Sequence, residues 1–124
     1  MLDNGIVRPH ALLLAVCLAA GCSPAADGAD GVSGELLFRR QGCTQCHGTA
    51  GSGGSLGPPL LDVERHWTRE ELARYFADPR PFFDRKPHLG EISKRYASRM
   101  PAFSTAEDER LALADYVLGL SSSN

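Results

Sequence analysis

The sequence predicts an all-α fold of three to five short helices, and three observations carry that expectation. Leu72, Tyr75 and Phe76 recur at i, i+3 and i+4, the spacing of one helix face. Leu113, Tyr116 and Leu120 repeat the pattern near the C-terminus, at i, i+3 and i+7. No run of β-branched residues marks a sheet that could compete.

The helices are organised around Cys43-Thr44-Gln45-Cys46-His47. The pattern C-x-x-C-H reads as a covalent attachment site for c-type haem. On a helical turn Cys43, Cys46 and His47 occupy positions i, i+3 and i+4 and share one face. Two thiols can then bond the two vinyl edges of one porphyrin while the imidazole reaches the iron. Such attachment implies dedicated machinery and an oxidising compartment. A structural zinc site would need four ligands, commonly two such pairs, and no second pair exists. A thiol–disulfide redox motif normally sits beside a β-α-β unit, which this chain lacks.

The chain has 124 residues, enough for one domain, and its formal net charge of -2 excludes a field that demands nucleic acid. With 13 Gly and 8 Pro it is rich in loops, and a small loop-rich domain builds only a thin core. A buried porphyrin would supply the missing apolar area.

Residues 1–21 read as a signal peptide of the lipoprotein type, with Arg8 ahead of the apolar run Ala11–Ala20. That run is too short to span a bilayer. It ends at Leu18-Ala19-Ala20-Gly21-Cys22, where small residues precede a cysteine placed for lipidation. An ordinary signal peptide cut nearby, for instance after Ala26, is the alternative. Residues 22–32 form a flexible tether of Ala, Gly, Asp, Ser and Pro, and residues 33–121 form the domain proper. Residues 122–124 are a frayed tail.

Ser33 caps a first helix over Gly34–Gln41, with Glu35 in its first turn and Gly42 breaking it. Gly34 and Phe38 share one face. Residues 48–57 are a Gly/Ser loop with none of the marks of a phosphate cradle; glycine would let backbone pass close to the porphyrin. Gly57-Pro58-Pro59-Leu60 follows, stiffened by proline. A ligating histidine usually hands its second ring N–H to a carbonyl, and Pro58 is the candidate acceptor for His47. A plain turn is the rival reading.

Thr68 and Glu71 fit a capping box, opening a helix that ends before Pro79. Trp67, just ahead of the cap, is a candidate for packing on the haem or donating to a propionate. Residues 79–99 read as irregular, punctuated by Pro79, Pro81 and Pro87. Arg80, Arg85, Lys86, Lys94, Arg95 and Arg99 gather there against Asp84 and Glu91. This basic patch could steer an acidic partner, neutralise propionates or simply be solvated. Met100-Pro101 follows, and apart from the initiator Met100 is the only methionine. A thioether is a soft iron ligand, and His/Met ligation raises reduction potential in c-type cytochromes. The alternatives are a buried gap-filler, or a bis-histidine site using His66 or His88, each of which otherwise reads as a surface or propionate-side histidine. A last helix begins at Ser104 or Thr105 through a capping box with Glu107 or Asp108, and runs to about Leu120.

Taken together, Gly34 and Phe38, Cys43/Cys46/His47, Gly57-Pro58 with Leu60, Met100-Pro101, and Leu113 with Tyr116 resemble the class I cytochromes c, over Gly34 to Leu120. Gly42 departs from the pattern by putting Phe38 five residues before Cys43, where many relatives have four. The resemblance implies short helices wrapped around one covalent haem c, with the first and last helices crossing. It implies close approach of Gly34 to Leu113 and Tyr116, and Pro58 as acceptor for His47. The function it points to is one-electron transfer with His47 and Met100 as axial iron ligands, Cys43 and Cys46 as thioethers and no catalytic residues. The carrier would be a monomer on the periplasmic side of a bacterial membrane, held by lipid at Cys22 or free in the periplasm, and serving protein redox partners. A haem enzyme or gas sensor with a labile sixth position is the competing class, and a subunit of a larger oxidoreductase complex is a third.

Overall fold

The computed structural model describes residues 31–122. The expected signal segment, the lipidated Cys22 and most of the tether lie outside the described residues, as does the end of the tail. Among the described residues there are five α-helices and no strand: α1 Gly34–Arg40, α2 Cys43–His47, α3 Arg69–Ala77, α4 Pro87–Arg95 and α5 Glu107–Ser121. Two 3₁₀ turns, Val63–Arg65 and Arg80–Phe82, sit in the connections.

Local chemistry explains the first half. Ser33 Oγ accepts the Leu36 N–H at 3.2 Å, capping α1. Gly42 then turns the chain sharply into α2, with φ at +76°, a left-handed conformation that a side chain would strain. Thr68 opens α3 with both halves of its box: Thr68 Oγ1 accepts from Glu71 N, and Glu71 Oε2 accepts from Thr68 N, each at 3.2 Å.

The core joins α1, α3 and α5. Phe38 and Leu37 from α1, Leu72, Tyr75 and Phe76 from α3, and Leu113, Ala114 and Val117 from α5 are buried together. Phe38 is 1% exposed and Ala114 0%, which marks the centre. The Phe38 and Tyr116 rings meet at 5.4 Å, tilted by 59°, in the arrangement aromatic pairs prefer.

Four expectations are corrected. The segment 79–99 is not irregular throughout, because α4 occupies nine of its residues. Pro87 stands at the first helical positions, where its missing N–H costs nothing. Leu89 and Ile92 pack on the core from α4. The last helix starts at Glu107 rather than 104 or 105, since Phe103 N donates to Phe76 O at 2.8 Å and pins the approach in extended form. Ala106 has no side-chain acceptor, so only Glu109 caps, accepting from Ala106 N at 3.2 Å. The buried stripe of α5 is Leu113, Ala114 and Val117, while Tyr116 is half-buried. Finally, Gly34 approaches Tyr116 as expected, but its other neighbour is the backbone of Ala112 and not Leu113: a Cβ on Gly34 would lie 2.2 Å from Ala112 O and 2.6 Å from Tyr116 Cβ.

Candidate haem site

Helix α2 carries Cys43, Cys46 and His47 on a single turn. The loop after it folds straight back. Gly53 N donates to His47 O, and Leu60 N to Gly51 O, each at 2.7 Å. Gly53, at φ +82°, passes so close to Pro59 that a Cβ would stand 2.6 Å from its nitrogen. Gly57 is also close to Cys46, where a Cβ would stand 3.0 Å from the cysteine's own Cβ. These contacts bring the Pro58 carbonyl over the His47 ring, with Nδ1 to O at 2.8 Å.

That hydrogen bond fixes the histidine's chemistry. A carbonyl oxygen only accepts, so Nδ1 carries the proton and Nε2 keeps its lone pair. Burial pushes the His47 pKa below its ordinary value, against the opposing pull of the Pro58 carbonyl. The imidazole is therefore neutral at neutral pH and basic at Nε2, as a metal ligand must be. The Cys43 thiol is driven the other way, up to about 11, chiefly by burial. Among the described residues no cluster of three or more His, Cys, Asp or Glu could hold a metal ion.

Cys43, Cys46 and His47 open onto a cleft of about 310 Å³. Its wall is largely apolar, drawn from Phe38, Leu72, Phe76, Leu113 and Val117 among others. Pro58, Trp67, His66, His88 and Met100 line the same cleft. Met100 is half-buried, on the stretch that the Phe103–Phe76 hydrogen bond holds against α3. The donor set fits a c-type haem. Two thiols and a lone-pair nitrogen share one turn, a soft sulfur lines the cleft, and the space between is greasy. One buried polar atom on the wall, His88 Nε2, has no hydrogen-bond partner among the described residues, as suits a cofactor with a polar edge.

Sequence patterns missed two features of this wall. The first is the stack of His66 on His88, rings 4.3 Å apart and 20° from parallel. Only the packing of α4 brings these histidines together. The second is Lys86. Its ammonium sits over the Trp67 ring at 4.5 Å and pairs with Glu71 at 2.9 Å, with its side chain only 14% exposed. Lys86 is thus part of the fold rather than of a free basic patch. Arg80 is likewise paired with Asp78 at 2.9 Å, and Lys94 with Glu91 at 2.8 Å. Three of the six basic groups counted in residues 79–99 are therefore neutralised in place, two of them by acids just outside that segment. Trp67 itself packs on Tyr75 and Phe82, at 4.7 and 5.4 Å between centroids.

No curated protein and no solved structure shows a significant match to the chain. The family model described as Cytochrome c matches residues 32–121.

Proposed function

Because residues 32–121 make this chain a member of the cytochrome c family, whose domains carry a covalent c-type haem and transfer electrons, we propose that it is a one-electron carrier with His47 and Met100 as the axial pair. The haem supplies an iron that alternates between ferric and ferrous. The protein's own groups do the rest. Cys43 and Cys46 give the thioether bonds, with the apolar walls excluding water. His47 offers Nε2, held in one tautomer and one orientation by Pro58. Met100 offers a soft sulfur that favours the reduced state and fills the position a ligand would otherwise take. The observation that carries this reading is the His47–Pro58 hydrogen bond on the same turn as both cysteines, facing the cleft that Met100 also lines.

Docking in this reading is weak and transient, at the mouth of the cleft. Leu56 lines the cleft and is 50% exposed, which gives an apolar rim suited to brief protein contacts. The redox partners are proteins, and no small-molecule substrate is needed. The lipid anchor at Cys22 and a periplasmic location belong to the same proposal. They rest on the small-residue box at 18–22 and on the oxidising compartment that thioether attachment requires. No helix among the described residues is long and apolar enough to cross a membrane.

A reduced-minus-oxidised absorption spectrum of the exported protein tests the proposal. A low-spin c-type spectrum that ignores carbon monoxide is expected. Ready uptake of carbon monoxide by the reduced protein would replace the carrier with a ligand-binding haem protein.

A further inference from the structure

The histidine stack is a polar part of the cleft wall that neither the thioethers nor the axial pair employs. His88 Nε2 is buried and has no hydrogen-bond partner among the described residues. Its ring lies flat on His66, 4.3 Å away, and meets the Trp67 indole edge-on at 5.8 Å. All three side chains line the cleft. A buried nitrogen with no partner bears the full cost of lost hydration. His66 stacks on its face and the Trp67 indole nitrogen only donates, so the direction left for a partner is the cleft. A c-type haem is apolar over its faces and carries two propionate carboxylates on one edge.

We propose that His88 Nε2, backed by His66 and flanked by Trp67, receives a haem propionate, and that His88 takes up a proton when the protein is reduced. This rests on the haem reading of the Cys43–His47 turn. The charged and titratable groups that face His88 are His66 across the stack, Lys86 at the start of its own helix and Asp62 from the opposite loop. Glu71 reaches the group only through Lys86. Burial, then His66 and Lys86, hold His88 below the ordinary histidine range, and Asp62 opposes them weakly. His66, stacked 4.3 Å away, opposes the positive charge that an added proton brings to His88. A carboxylate against Nε2 favours that proton. One electron entering the cleft adds one negative charge and strengthens its hold. The balance is one electron in from the redox partner and up to one proton in from solvent, reached through the exposed ring of His66. The reduced protein therefore binds the proton more tightly, and the reduction potential falls as pH rises between the oxidised-state and reduced-state pKa values of His88.

The test is spectroelectrochemistry of the holoprotein from acid to alkaline pH, for wild type, His88→Phe and His88→Gln. The wild-type potential is expected to fall with pH, its steepest slope approaching the one-proton limit of about 59 mV per tenfold change in proton activity. His88→Phe keeps the ring but loses the donor, so its potential lies below wild type and is flat across that window. His88→Gln keeps a donor and does not titrate, so it loses the slope while staying near the wild-type alkaline value. It also serves if the Phe variant fails to fold. A variant with wild-type potential and slope overturns the proposal. So does a wild-type protein without the sulfur-to-iron absorption band that gains it when His88 is replaced, which would make His88 an iron ligand instead. Exported wild-type protein without covalent haem would overturn the underlying haem reading, and that is visible before any variant is made.

Discussion

Replacing Gly34 by alanine should destabilise the protein, although helix propensity alone argues for the opposite. The residue begins α1 and lies against α5. An added Cβ would stand 2.2 Å from Ala112 O and 2.6 Å from Tyr116 Cβ. The first distance is more than about 1 Å short of ordinary contact. Both obstacles are rigid, one a backbone carbonyl inside a helix and the other a carbon at the root of its side chain, so α1 must lift away from α5. Overpacking of this kind costs about 1–3 kcal/mol, while removing a helical glycine returns at most about 1 kcal/mol. The net expectation is a loss of about 1–2 kcal/mol. For a domain of this size that lowers Tm by roughly 4–15 °C. Gly119→Ala is the internal control. It too lies in a helix, but its Cβ would meet nothing within 4 Å, so a gain of about 0.5 kcal/mol is expected. Thermal unfolding of the holoprotein, followed by circular dichroism, reads both. A Gly34→Ala protein as stable as wild type would mean that α1 and α5 do not approach as closely as described.

Cys43→Ala or Cys46→Ala should weaken covalent haem retention, and the double variant should abolish it; unchanged haem staining after denaturing electrophoresis would refute thioether attachment. Met100→Ala should lower the reduction potential by on the order of 0.1 V, a modest part of the roughly 0.8 V that axial ligands span, and let carbon monoxide bind the reduced protein. An unaltered spectrum would exclude Met100 as a ligand. Glu71 is held below the ordinary carboxylate range by the Lys86 ammonium first and by the Thr68 N–H second. Its folded pKa is depressed, so its contribution is complete above the unfolded value of about 4.3 and is lost as pH falls through the folded one. Glu71→Gln should therefore be less stable than wild type at neutral pH, with the gap closing in acid; a gap constant in pH would contradict the Lys86 pairing. Cys22→Ser should release the protein from the membrane fraction, and persistent membrane association would count against lipidation.

The elements that sequence patterns located are those with local causes. Ser33 and Thr68 accept N–H groups three residues on, and Gly42 turns the chain at a conformation other residues resist. Such signals need only neighbours. Helix α4 escaped because its signature is weak. Three prolines and six basic residues dominate residues 79–99, and the recurrence of Leu89, Ile92 and Tyr96 at i, i+3 and i+7 is a faint helical stripe against them. The start of α5 was misplaced for a different reason. Ser104 and Thr105 are better caps than Ala106 by propensity, yet the tertiary hydrogen bond from Phe103 to Phe76 keeps the preceding chain extended.

By itself the sequence determined which chemistry this protein holds, because the two thiols and the imidazole need only the pitch of one helical turn to share a face. It also determined where α1 and α3 begin and end to within a residue or so, since caps act over three or four residues. The tertiary structure alone decided that Ala112 sets the separation of α1 from α5, that Lys86 answers Glu71, and that His88 lies on His66 with a buried nitrogen that has no partner among the described residues. These are meetings between groups 15 or more residues apart. They depend on how far helices must close to exclude water from an apolar cleft, a distance that no local pattern encodes.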